Sequence, residues 1–219
     1  MDNAQTAGPV RIGLIVGSTR PGRRGGEVAR WAARVAQEHD AVRRGAATVA
    51  VVDLAEQGLP LLDEPVPAMF GDYRNAHTLR WSDTVAGFDA FVFVTPEYNH
   101  SVPAALKNGV DYLYAEWNDK AAGVLTYGVQ GGTRAGEHLR QILAEVKATV
   151  VPTQVALTVF TDFDFSGADP GDPTAPGRIA PAAEREAGLD RMLTEIVDRS
   201  RERISGGPLV GASGPDAAR

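Results

Sequence analysis

Three short segments carry residue types and spacings suited to holding a ligand. The first, Gly17-Ser18-Thr19-Arg20-Pro21-Gly22-Arg23-Arg24-Gly25-Gly26, combines two hydroxyls and three arginines with four glycines and contains no acid. Small residues let backbone amides turn toward an anion, the N-terminus of a following helix adds partial positive charge, and hydroxyls and guanidiniums complete the cradle. In a chain of net charge −6, that local basic excess points to a bound anion; a solvated basic turn is the alternative. Gly17 and Gly22 have the spacing of a P-loop, but Arg23-Arg24 stands where that loop needs Lys followed by Ser or Thr. No Gly-x-Gly triplet occurs, so the dinucleotide fingerprint is missing too. A single terminal phosphate is the better guest.

The second segment is Thr95-Pro96-Glu97-Tyr98-Asn99-His100-Ser101-Val102-Pro103, a tight turn able to present backbone polar groups edge-on to a flat heterocycle. The third is Thr126-Tyr127-Gly128-Val129-Gln130-Gly131-Gly132-Thr133-Arg134, whose glycines permit close backbone approach to a planar ring. Each alone is weak, since every strand ends in some turn. Together at one sheet edge they are stronger.

The elements that must position these loops alternate between short β-branched runs and amphipathic stretches, the rhythm of parallel strands joined by crossover helices. Five strands are expected, at Val10 to Val16, Thr48 to Asp53, Ala90 to Thr95, Gly123 to Tyr127, and Val150 to about Val159. Helices are expected at Gly25 to Glu38, Asn75 to Ala86, Val102 to Ala115, Arg134 to Lys147 and Ala182 to Ile204. Pro103 suits a helix's first turn, with Ser101 as its cap. In such sheets ligands bind outside the carboxyl ends of the strands, where all three loops fall. Segment 56–73 reads as an ordered loop, Asp162 to Arg178 as a lid or insertion because of its length and its glycines and prolines, and 207–219 as a frayed tail after a single domain at 1–206.

The 219 residues suffice for one α/β domain, and 43% apolar with 23% charged residues is ordinary globular usage. The acidic balance offers no global field for a nucleic acid. With no cysteine, the chain has no disulfide framework, thiolate metal site or cysteine nucleophile, so redox chemistry would have to be borrowed. The longest apolar runs are of strand length, against the ~20 residues of a spanning helix. Met1 to Pro9 shows no secretory pattern, and a cytoplasmic location is the default expectation.

The chain resembles the NADPH-dependent FMN reductase family, flavodoxin-like proteins that include quinone, azo and chromate reductases. The matching motifs are Gly-Ser-Thr-Arg-Pro-Gly-Arg-Arg at 17–24, Leu-Pro-Leu-Leu-Asp-Glu-Pro at 59–65, Pro-Glu-Tyr-Asn-His at 96–100 running into Ala-Leu-Lys-Asn-Gly-Val-Asp at 105–111, and Tyr-Gly-x-x-Gly-Gly-x-Arg-Ala at 127–135. The resemblance implies a three-layer flavodoxin-like sandwich with sheet order 2-1-3-4-5. It also implies FMN as prosthetic group and NADPH or NADH as co-substrate, with a ping-pong transfer to a small electron-poor acceptor. FMN's phosphate would sit among Ser18, Arg20, Arg23, Gly25 and Gly26. Its ring would lie between Pro96, Glu97, Tyr98, Asn99 and His100 on one side and Tyr127, Gly128, Gly131 and Gly132 on the other. Hydride chemistry at the flavin N5 asks for no catalytic side chain. Competing readings are a flavodoxin-type electron carrier and a flavin-binding redox sensor.

Other residues have plainer readings. His39, His77 and His138 fall in helical patterns and read as surface residues, and Trp31, Trp81 and Trp117 as packing. Asp63-Glu64 reads as a solvated pair. The family's oligomers imply a homodimer or homotetramer, and the aromatic stretch Tyr112, Leu113, Tyr114, Trp117 fits either a subunit interface or the core.

Overall fold

The computed structural model describes residues 8–167, 172, 175 and 177–206. Five parallel strands form one sheet in the order β2-β1-β3-β4-β5: β1 Val10–Val16, β2 Ala47–Asp53, β3 Ala90–Pro96, β4 Ala121–Gly128 and β5 Thr149–Thr158. The order is the expected one. β1, β3 and β4 are buried along nearly their whole length, as strands covered on both faces must be.

Helices α1 (Gly25–Glu38) and α6 (Ala183–Ile204) cover one face. There Val28, Trp31, Leu189, Met192 and Ile196 pack on Ile12, Val92 and Leu125. Helices α3 (Ala76–Ala86), α4 (Ala104–Asp111) and α5 (Thr133–Glu145) cover the other, where Trp81, Leu106 and Leu139 meet Ile15, Phe93 and Val124. A short α2 (Asp40–Arg43) follows α1.

Several expectations need correction. Helix α4 is shorter than Val102 to Ala115, and the residue at its N-cap is Pro103, without a side-chain cap bond. Ser101 instead uses its hydroxyl on His138 Nδ1, 3.0 Å away. The aromatic stretch after α4 belongs to the core: Tyr112, Leu113 and Trp117 are buried, and Trp117 lies 5.0 Å from Phe91 and 6.1 Å from Trp81 between ring centroids. That stretch therefore lends no support to an interface.

His39 is 6% exposed rather than on the surface. Its Nδ1 accepts from the Ala41 amide, capping α2, and its Nε2 meets Thr194 of α6 at 3.1 Å, which is why the chain turns inward there. Asp63 is exposed, as expected, and Glu64 partly buried, but both carboxylates are engaged. Asp63 is hydrogen-bonded by Tyr112, Asn75 and His77, and Glu64 accepts the amides of Arg74 and Asn75, so the two tie the loop before α3 to the body.

The long insertion is ordered at both ends. β6 (Phe163–Asp164) pairs antiparallel with β7 (Arg178–Ile179), and Arg178 bridges Asp164 at 2.8 Å. Buried Asp162 accepts the Thr158 amide at 2.7 Å through its side chain and the Ala180 amide at 3.0 Å through its carbonyl, closing the arm at its root. The tail at 207–219 lies outside the described residues.

Candidate functional site

The three loops meet at the carboxyl edge of the sheet because β1, β3 and β4 are adjacent and parallel, so their ends open on one side. A cavity of about 150 Å³ there is lined by Arg20 and Arg24 from the first loop, Pro96, Glu97 and Tyr98 from the second, Tyr127, Gly128 and Val129 from the third, and Val159 after β5. A larger groove of about 600 Å³ runs between α1, α6 and β7 past Trp31, Glu38 and Pro181. It receives none of the three loops, and we place the site at the smaller cavity, where the polar groups converge.

In the first loop Ser18 is fully buried, and its hydroxyl shares a 2.9 Å hydrogen bond with that of Tyr98, joining first loop to second. Arg23 reaches away to Asp53 at the end of β2, 2.5 Å from its carboxylate, and so braces the loop. Arg20 is exposed; its carbonyl accepts the Arg23 amide at 3.1 Å, while its guanidinium makes no hydrogen bond or ion pair among the described residues. Gly25 and Gly26 open α1, whose N-terminus has no side-chain cap.

The second loop turns through Asn99 (φ 49°) and His100 (φ 69°), two successive left-handed residues of the kind a primed two-residue turn needs. Tyr98 and Ser101 exchange both backbone hydrogen bonds across it, at 2.9 and 3.1 Å. Asn and His tolerate this backbone better than most residues. His100 is exposed, and Pro96 is buried at the end of β3.

Glu97 does more than line the cavity. Its carboxylate accepts the Arg134 amide at 3.1 Å and the Ala135 amide at 3.4 Å, and lies 3.4 Å from the Arg134 guanidinium. It thus caps α5 from another loop and fixes the width of the cleft between the second and third loops. Glu97→Ala should cost about 0.5–2 kcal/mol, the usual range for a lost helix cap. Urea unfolding measures it, and a variant as stable as the parent would show the cap to be idle.

The third loop is drawn tight by Thr126, whose buried hydroxyl donates to the Gly131 carbonyl at 2.6 Å, and by the Gly131 amide bonding Gly128 at 3.2 Å. Tyr127 is buried beneath the first loop, with the positive charges of Arg20, Arg23 and Arg24 acting on it.

Three polar atoms here are buried without a hydrogen-bond partner: Arg23 Nε, Arg24 Nε and the Tyr127 hydroxyl. All three are donors. A buried donor left unmade costs ~1–3 kcal/mol, so a site collecting them asks for a ligand rich in acceptors. With unpaired Arg20 and the uncapped α1, the set matches a phosphate monoester.

Burial pushes the Tyr127 hydroxyl far above the ordinary phenol range; burial and Glu116 do the same to Tyr73, and burial with Asp63 raises Tyr112 to about 12. Above the ordinary phenol value of 10.0 the unfolded chain loses these protons while the folded chain keeps them. The unfolded state then binds fewer protons, and stability must fall as pH rises. Lys120, lowered by burial to about 8, works in the opposite sense up to the ordinary lysine value of 10.5, so unfolding midpoints in urea should drop between about pH 10.5 and about pH 12. A flat profile across that window would contradict the burial of these hydroxyls.

The sequence reading named fourteen site residues, and the structure sets them around one edge of the sheet. Arg24, Val129 and Val159 line the cavity without being among the fourteen. Arg24 was visible in the basic run of the first loop, whereas Val159 carried no signal beyond its place at a strand end. Among the described residues no group of three or more His, Asp or Glu is placed to hold a metal ion, and no helix is long and apolar enough to cross a membrane.

An NAD(P)H-dependent FMN reductase of Nectria sp is 35% identical over 203 residues, 89% of this chain and 96% of that one. A quinone reductase of Escherichia coli K12 is 33% identical over 65% of this chain and 73% of its own length. Among solved structures, the flavoenzyme NAD(P)H:(acceptor) oxidoreductase of Paracoccus denitrificans superposes with a TM-score of 0.61 over 88% of this chain and 98% of its own, at 21% identity. The profile of the NADPH-dependent FMN reductases matches residues 10–162, and the chain belongs to that family.

Proposed function

We propose that the chain is an FMN-dependent NAD(P)H oxidoreductase that passes electrons in ping-pong order to a small electron-poor acceptor such as a quinone, an azo compound, free flavin or a metal oxyanion. The observation that carries the reading is the set of unsatisfied donors at the three-loop cavity, the guanidiniums of Arg20 and Arg24 and the Tyr127 hydroxyl, with Arg23 Nε buried in the same loop. FMN is a flat heterocycle ending in one phosphate monoester, which is the anion such a cluster prefers. When bound it supplies hydride acceptance and donation at N5, so no acid–base side chain is required of the protein.

The residues divide that work. Arg20, Arg24 and the amides opening α1 meet the phosphate, and Ser18 holds Tyr98 in place. The turn at Pro96 to His100 and the loop at Gly128 to Gly132 border the ring with backbone groups. The enclosed part of the site, about 150 Å³, is smaller than ordinary cofactor pockets. A mononucleotide would therefore extend beyond it, with one ring face toward solvent. Nicotinamide and acceptor use that face in turn, which imposes the ping-pong order.

The test is the visible spectrum of the purified protein after FMN addition and desalting, followed by anaerobic mixing with NADPH. A retained flavin spectrum bleached by NADPH, and restored by a quinone after NADPH has been consumed, is expected. No flavin retained, or acceptor reduction only while both substrates are present, would overturn the cofactor and the order respectively. A protein that retains flavin but is not bleached by NADPH would instead favour the sensing reading.

We also propose a homodimer or homotetramer, with contact through the exposed apolar side chains Leu61, Leu62, Met69 and Phe70. Sedimentation as a monomer at micromolar concentration would remove the oligomer, and an unchanged oligomer in Phe70→Ser with Leu61→Ser would remove this contact surface.

A further inference from the structure

The family match ends at Asp162, and the arm of β6 and β7 begins on the next residue. We propose that Phe165 of this arm is a positioning residue for the cofactor phosphate, acting through Arg24. The inference rests on the FMN reading above.

Arg24 is the residue where arm and cradle touch. Its guanidinium carbon lies 5.1 Å over the Phe165 ring, its Nη2 is 3.5 Å from the Ala175 carbonyl of the arm, and its Nε is buried with no acceptor. Arg24 also lines the three-loop cavity. One face of the guanidinium thus rests on an aromatic ring, while a donor remains for a ligand. An arginine free in solvent would lose rotamer entropy on closing around a phosphate; one already stacked loses less, and binding tightens accordingly.

Phe165 is itself seated. Its ring is stacked on Phe163, 6.4 Å away and inclined by 18°, and Phe163 in turn contacts Tyr127 of the site at 6.5 Å. Gly177 (φ 71°) closes the other side so tightly that a Cβ there would sit 2.5 Å from the Phe165 ring. The Asp164–Arg178 bridge and the closure at Asp162 hold the two ends of the arm together around this contact. Aromatic contacts thus tie the arm to the cradle twice, through Phe163 on Tyr127 and through Phe165 under Arg24.

The effect should be confined to the phosphate. Binding of FMN and of riboflavin, which lacks the phosphate, is to be measured by quenching of flavin fluorescence on the apoprotein, for the parent, Phe165→Leu, Phe165→Trp, Arg24→Gln and the double variant Arg24→Gln with Phe165→Leu. Leucine keeps apolar volume but has no ring face. Phe165→Leu should weaken FMN about 3- to 10-fold, the range of a partly desolvated cation–π contact, and leave riboflavin unchanged. Phe165→Trp should retain FMN at the parent level, and Phe165→Leu should add nothing in the Arg24→Gln background. Parent-like FMN binding by Phe165→Leu would overturn the inference alone, as would equal losses for FMN and riboflavin, which mean general damage to the arm. A parent protein that binds no FMN overturns the functional reading and this inference with it.

Discussion

Gly132→Val is expected to destabilise the protein by about 2–5 kcal/mol. Gly132 has φ 68°, and a Cβ there would lie 2.9 Å from the Tyr127 carbonyl oxygen and 3.0 Å from Thr126 Cβ. The left-handed backbone costs a branched residue ~1–2 kcal/mol, and forcing atoms into a filled space adds ~1–3 kcal/mol. Relief by side-chain rotation is not available, since Tyr127 and Thr126 are paired within β4 to both neighbouring strands. The third loop must shift instead, carrying the first turn of α5 and the Glu97 contacts with it. Urea unfolding at an unchanged slope measures the loss. A variant within about 0.5 kcal/mol of the parent would show that the loop has an alternative path.

Arg20→Ala tests the site rather than the fold. Arg20 is exposed and unpaired among the described residues, so its removal should leave apoprotein stability within about 0.5 kcal/mol. FMN retention should weaken by about 1.5–3 kcal/mol, roughly 10- to 150-fold, the range for a lost charge-assisted hydrogen bond. Arg23→Ala should behave in the opposite way, since Arg23 is engaged with Asp53: some stability is lost, with a smaller direct effect on FMN. Equilibrium dialysis of FMN against the apoproteins separates the two. Equal FMN affinity for Arg20→Ala and the parent would exclude a direct phosphate contact by Arg20.

Much of this protein was legible before any coordinates. Strand positions and the meeting of three loops at one edge follow from hydrophobic runs and crossover-length helices, because a parallel sheet exposes its strand ends on one side only; the sheet order was implied by the family resemblance. The motifs at 17–24, 96–100 and 127–135 were readable for a related reason: glycines, prolines and left-handed Asn99-His100 are local backbone demands, and local demands leave local traces.

What the sequence concealed was how side chains were allotted. Three arginines in eight residues look alike, yet one braces β2, one rests on an aromatic ring of a distant arm, and one is left free. His39 and His138 both fall in helical patterns, yet one is buried at a helix junction and the other caps nothing and meets Ser101. Glu97 sits in a ligand-binding motif but spends its carboxylate on α5.

By itself, then, the sequence determined the layered sheet, the edge where the three glycine-bearing loops meet and the family, since these depend on patterning and on backbone types that neighbours in the chain dictate. Only the tertiary structure decided which cation stays free for a phosphate, that the aromatic stretch after α4 is core, and that the arm beyond Asp162 rests against the cradle. Those outcomes depend on contacts between residues far apart in the chain, whose partners are chosen by packing once the sheet has formed.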